Sequence, residues 1–148
     1  MYKRIMVAID GSDTAQRGLK HAIDLARDQK ARLAIIQVID VVIARAARGY
    51  RMAYIESERE HARDVTSKAL DAARAAGVEA EVQTPEIERD GQHVTDAIVD
   101  AARAWQADLL VIGTHGQRGW RHLLLGSVAE GIVRAANTPV LLVRADGK

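Results

Sequence analysis

Apolar residues fall along this chain in two alternating rhythms. Residues 4–9, RIMVAI, form a short β-prone run that stops at the turn signal Asp10-Gly11-Ser12. Behind it Ala15, Leu19, Ala22, Ile23 and Ala26 recur at helical spacing, and Asp13 with Gln16 three positions on predicts a capped helix running to about Gln29. Residues 31–39, ARLAIIQVI, are continuously apolar toward their end, as expected of a strand covered on both faces. After an irregular stretch, Met52, Ile55, Ala62, Val65, Ala69, Ala73 and Ala76 predict a long amphipathic helix stopped by Gly77. Residues 78–87 predict a strand in which Pro85, lacking a donor, suits a sheet edge. Val94, Ala97, Ile98, Ala101 and Trp105 mark the next helix, residues 107–112 a fourth strand, 127–136 a short helix and 139–144 a fifth strand.

Strict alternation of strand and helix predicts an α/β fold: a parallel sheet with helices on both faces, joined by right-handed crossovers. In such sheets ligands bind beyond the carboxyl ends of the strands, where strand order reverses. The segments that face that edge are residues 10–12, 38–40 and 113–127.

Composition narrows the choice of ligand. A chain of 148 residues without a repeat or linker predicts one domain over residues 1–148. Aromatic residues make up 3%, with no Phe, so the core must be built from Ile, Leu, Val and Ala. The absence of Cys removes disulfides and thiolate chemistry, and the apolar run after Lys3 and Arg4 is too short for a signal peptide, which makes a cytoplasmic location the expectation. No apolar run approaches the roughly 18 residues of a membrane span. With 21 basic against 20 acidic side chains there is no strong field for nucleic acid, and few aromatics on which bases could stack. Neither nucleic acid nor membrane is therefore an expected partner.

The fourth predicted strand runs into Gly113-Thr114-His115-Gly116, and after nine residues the chain reads Gly126-Ser127 at a helix start, a G-x2-G-x9-G-S spacing. Glycines at a strand end permit positive φ and let backbone N–H groups approach a ligand, and a glycine before a helix does so beside its positive end. That is a cradle for phosphates distinct from the P-loop, since neither G-x-x-x-x-G-K-[ST] nor G-x-G-x-x-G occurs.

Residues 107–144, ADLLVIGTHGQRGWRHLLLGSVAEGIVRAANTPVLLVR, resemble the C-terminal half of universal stress protein domains, and VAIDGSD near the N-terminus resembles that family's first strand and turn. The glycine spacing is the one its ATP-binding members carry. The resemblance implies a five-stranded parallel sheet of Rossmann-like, adenine nucleotide alpha hydrolase-like type in strand order 3-2-1-4-5. It also implies an adenine nucleotide at the carboxyl edge and a homodimer. Matched position by position, it puts Asp10 near the adenine or ribose and Val38 at the base through its main chain, with Ala8 also among the nucleotide-binding residues. Gly113, Thr114, His115 and Gly116 would line the ribose and phosphates, and Gly126, Ser127 and Val128 would hold the phosphates. This chain has Ala8-Ile9 where such relatives have a Pro-Thr pair, and Ala129 where they have a hydroxyl; each absent hydroxyl removes about 0.5–1.5 kcal/mol of hydrogen bonding.

The resulting expectation is a cytoplasmic, nucleotide-dependent stress-response domain. It takes ATP, ADP or AMP, with Mg²⁺ carried on the phosphates, and pairs with a second copy through the strand at 139–144. The alternatives are slow ATP hydrolysis or phosphoryl transfer at the same site, and a nucleotide-free dimeric interaction module. No P-loop lysine and no evident pair of metal-binding carboxylates accompany the glycines, and no catalytic residue is assigned. Competing structural roles attach to the same residues. Ser127 with Glu130 reads as a capping box, Asp10 as a turn former, and the positive loop at 114–125, with Arg118 and Arg121, as either a solvated surface or a lid.

Overall fold

The computed structural model describes residues 1–42, 51–115 and 125–144. In chain order the described elements are β1 (Arg4–Ala8), α1 (Asp13–Gln29), β2 (Arg32–Ile36), β3 (Ile39–Asp40), α2 (Arg51–Ala75) and β4 (Ala80–Gln83). They continue with β5 (Glu86–Ile87), α3 (Val94–Ala104), β6 (Leu109–Gly113), α4 (Ser127–Ala135) and β7 (Val140–Val143). The main sheet is parallel throughout, in the order β4-β2-β1-β6-β7. Counting only these five strands, this is the expected order 3-2-1-4-5.

Side-chain alternation divides the core between the two faces of the sheet. Ile5, Val7, Leu33, Ile35, Leu109 and Val111 pack with α1 and α2, whereas Met6, Ala8, Ala34, Ile36, Leu110 and Ile112 pack with α3 and α4. Both sets are buried, which is why the strands read as continuous apolar runs. Each fully buried aliphatic side chain contributes about 1.5–3 kcal/mol relative to exposure.

The helix-face positions hold as expected, but the cap of α1 lies one residue earlier. Ser12, not Asp13, is the N-cap, its Oγ accepting from Ala15 N at 3.3 Å, while Asp13 sits in the first turn with its charge against the helix's positive end.

Two expected strands are each broken in two. β2 stops at Ile36 and β4 at Gln83, and after Thr84-Pro85 the chain pairs again as a separate parallel ladder of β3 with β5. Pro85 cannot donate, yet its carbonyl accepts from Ile39 N at 2.9 Å, so the pairing resumes just beyond the break. Continuous apolar composition hides such a bend, because Ile39 and Val41 leave the main core only to enter a second cluster with Ile55 and Ala62 of α2.

An ion pair holds α2 on this small sheet. Arg59 is bidentate to Glu86, with Nε–Oε1 at 2.6 Å and Nη2–Oε2 at 3.0 Å, and its Nη1 also donates to Glu56 at 3.0 Å. The hydrogen bond from Arg59 holds the Glu86 carboxyl below its usual range and outweighs the opposing effect of burial. A lowered carboxylate stabilises the fold above its ordinary value, and that contribution is lost as pH falls through the lowered one. Glu86→Gln should therefore lower the melting temperature at neutral pH. The gap from the parent should close on acidification below the usual carboxylate value of about 4.3, as thermal melts across pH would show; a gap independent of pH would contradict the pairing.

Candidate functional site

Strand order reverses between β1 and β6, and the two chain segments leaving them build the site. After β1, Asp10 Oδ1 accepts from Ser12 N at 2.9 Å in a turn that delivers the chain into α1. After β6, Thr114 N donates to Val143 O at 3.0 Å and Thr114 O accepts from Gly126 N at 2.7 Å. That second bond brings the start of α4 back beside the end of β6, although residues 116–124 separate them in sequence.

Thr14 on α1 ties the two segments together, its hydroxyl donating to the main-chain carbonyl of His115. The helix can come this close because residue 113 is glycine. A Cβ there would lie 3.0 Å from both the carbonyl carbon and the Cβ of Thr14.

Between these elements lies a cavity of about 350 Å³. Ala8, Asp10, Val38, Gly113, Thr114, His115, Gly126, Ser127 and Val128 all line it, so nine of the ten predicted site residues come together. The tenth, Gly116, and the positive segment with Arg118 and Arg121 lie outside the described residues.

Two expectations about the glycine motif are corrected. Positive φ is not what the described motif glycines supply. Gly126 sits at φ −59° and ψ 157°, Gly113 has no positive φ, and the latter's requirement is the approach of Thr14. The capping box also fails to form. Gly126 is the N-cap of α4 and makes no side-chain cap bond, Ser127 is the first helical residue, and Glu130 instead pairs with Arg134 at 2.8 Å. Ser127 is thus left exposed at the cavity without a capping duty. Glu130 is the first residue of α4 whose N–H bonds back along the helix, to Gly126 O at 2.9 Å. The N–H groups of Ser127, Val128 and Ala129 have no partner within the helix, and they form its positive end.

The rest of the lining is aliphatic and includes residues that the motif did not reveal. Val94 and Ile98 of α3, with Ile9, Ala15, Ile112 and Ala129, complete it. Their signal was present as the apolar stripe of α3, but periodicity alone does not say which end of a stripe overhangs the sheet. Among the described residues, no group of three His, Asp or Glu side chains could hold a metal ion.

The fold is that of a doubly wound α/β protein with a cavity at the switch point of its parallel sheet, lined in part by the first turn of α4. The family model described as "Universal stress protein family" matches residues 1–144, and the chain belongs to that family. Universal stress protein MJ0531 of Methanocaldococcus jannaschii is 35% identical over 97% of this chain and 83% of its own. A universal stress protein family structure from Burkholderia pseudomallei superposes with TM-score 0.80 at 34% identity, covering 97% of each chain. The Archaeoglobus fulgidus universal stress protein in complex with dAMP gives TM-score 0.71 at 29% identity, covering 96% of this chain and 98% of that one. A universal stress protein in complex with cAMP gives 0.69 at 28% identity, covering 97% of each.

No helix among the described residues is long and apolar enough to cross a membrane.

Proposed function

We propose that this chain binds an adenine nucleotide, ATP, ADP or AMP, in the cavity at the carboxyl edge of its sheet and acts as a nucleotide-dependent cytoplasmic stress-response regulator. The observation that carries the reading is the convergence of nine motif-derived residues on one cavity whose lining joins aliphatic side chains with the first turn of α4. Adenine, a flat and largely apolar ring, suits Val38, Val94 and Ile98, with main-chain groups reading its edge. Phosphates suit the N–H groups that have no partner within the helix and the Ser127 hydroxyl at the start of α4. Two structural relatives, in complex with dAMP and cAMP, support the adenine end of this assignment. Mg²⁺ would arrive on the ligand's phosphates rather than in a protein cage.

The active species is proposed to be a homodimer. β7 is a sheet edge whose Leu141 is 38% exposed, and a second copy pairing along it would cover that side chain. Calorimetric titration with ATP, ADP and AMP should show one site per chain, and sedimentation should show a two-chain species. An absence of binding heat with all three would overturn the nucleotide reading, and a monomer at micromolar concentration would overturn the dimer.

A further inference from the structure

Gly131 lies inside α4, where glycine destabilises a helix relative to alanine, and it is not one of the glycines of the phosphate motif. Its place is explained by α3. A Cβ on residue 131 would lie 2.7 Å from Thr95 Oγ1 and 2.9 Å from Thr95 Cγ2, closer than a Cβ stands to its neighbours in folded proteins. Threonine distributes two heavy atoms over three staggered positions, so turning its side chain empties at most one of the two that face residue 131. Any side chain at position 131 therefore displaces a helix. α4 is the one that is held: Gly126 N donates to Thr114 O at 2.7 Å at its start, and Ala129 and Ile132, on either side of Gly131, are buried in the core. The first turn of α3 is looser, with Val94 and Thr95 half-buried and no side-chain bond from the N-cap His93.

The same two helices furnish apolar lining to the cavity. Val94 and Ile98 of α3 flank Thr95 along their helix, and Val128 and Ala129 of α4 precede Gly131 by less than one turn. Resting on the adenine-nucleotide reading above, we propose that the contact of Gly131 with Thr95 sets the width of the cavity and thereby the size of base that it accepts. Seated against Gly131, α3 carries Val94 and Ile98 in toward the base. Pushed off by a side chain at position 131, it carries them outward, so the grip on adenine loosens and a broader base gains room. Gly131 and Thr95 are positioning residues: neither lines the cavity, and both act through the side chains that do.

Calorimetric titration of the full chain tests this with AMP and with etheno-AMP, whose base is broadened by a third fused ring. The variants are Gly131→Ala and the double variant Gly131→Ala with Thr95→Ala, which removes the two crowding atoms; each is checked for folding by its thermal melt. The parent should prefer AMP by roughly ten- to two-hundredfold, the range that a carbon's width of misfit commands in an apolar pocket. Gly131→Ala should cut that preference by roughly tenfold, chiefly by weakening AMP, and the double variant should restore it. The amino protons that etheno-AMP lacks are missing before every variant alike, so a change in the ratio reports width and not hydrogen bonding. A ratio unchanged by Gly131→Ala, whether both affinities hold or fall together, would overturn the proposal. So would a double variant that stays unselective, or a Gly131→Ala chain that no longer folds, which would show that α3 cannot give way. A parent that binds both ligands equally well would overturn this proposal while leaving the adenine site standing. A parent that binds neither would overturn both.

Discussion

Replacing Gly113 by valine should lower the stability of this protein by about 1–3 kcal/mol, the cost of overfilling a packed interior. The added Cβ would stand 3.0 Å from two atoms of Thr14, one of them main chain, and α1 cannot retreat without drawing its buried face off β6. For a chain of this size each kcal/mol corresponds to roughly 2–4 °C of melting temperature. Because Thr14 also holds the His115 carbonyl, ligand binding should weaken together with stability. A variant that melts like the parent would show that the glycine is not needed for packing.

Ser127→Ala should have the opposite profile. Were Ser127 the cap of α4, its loss would cost about 1 kcal/mol of stability. The cap is Gly126, so stability should stay within about 0.5 kcal/mol of the parent. Affinity for AMP or ATP should fall by roughly ten- to a hundredfold if the hydroxyl donates to a charged phosphate. Thermal melts and calorimetry on the same sample separate the two accounts. A destabilised variant with unchanged affinity would restore the capping role.

These contrasting glycine and serine variants show where sequence reasoning reaches and where it stops. The order of strands and helices was legible because each strand is buried on both faces and each helix on one, so burial writes itself into the apolar pattern. The site was legible as a spacing, since Gly113 and Gly126 flank the segment that returns to the switch point. The reasons for those residues were not. Spacing does not record that Gly113 yields to Thr14, a residue about a hundred positions away in the chain, nor that Gly126 takes the cap and leaves Ser127 unengaged. The divisions of residues 31–39 and 78–87 into two strands each were hidden for a similar reason. Ile39 and Val41 remain buried after the bend, so the apolar signal continues while the partner changes. Val94 and Ile98 read as core, and packing alone puts them at the cavity.

The central claim is that an adenine nucleotide occupies the cavity between the ends of β1 and β6 and the start of α4. Amide-resolved nuclear magnetic resonance during titration with AMP tests it most directly. The account predicts saturable shifts at Asp10, Val38, Thr114, His115, Ser127 and Val128, with the exposed face of α2 unmoved. Saturable shifts confined to α2, or no shifts at millimolar AMP, would contradict it.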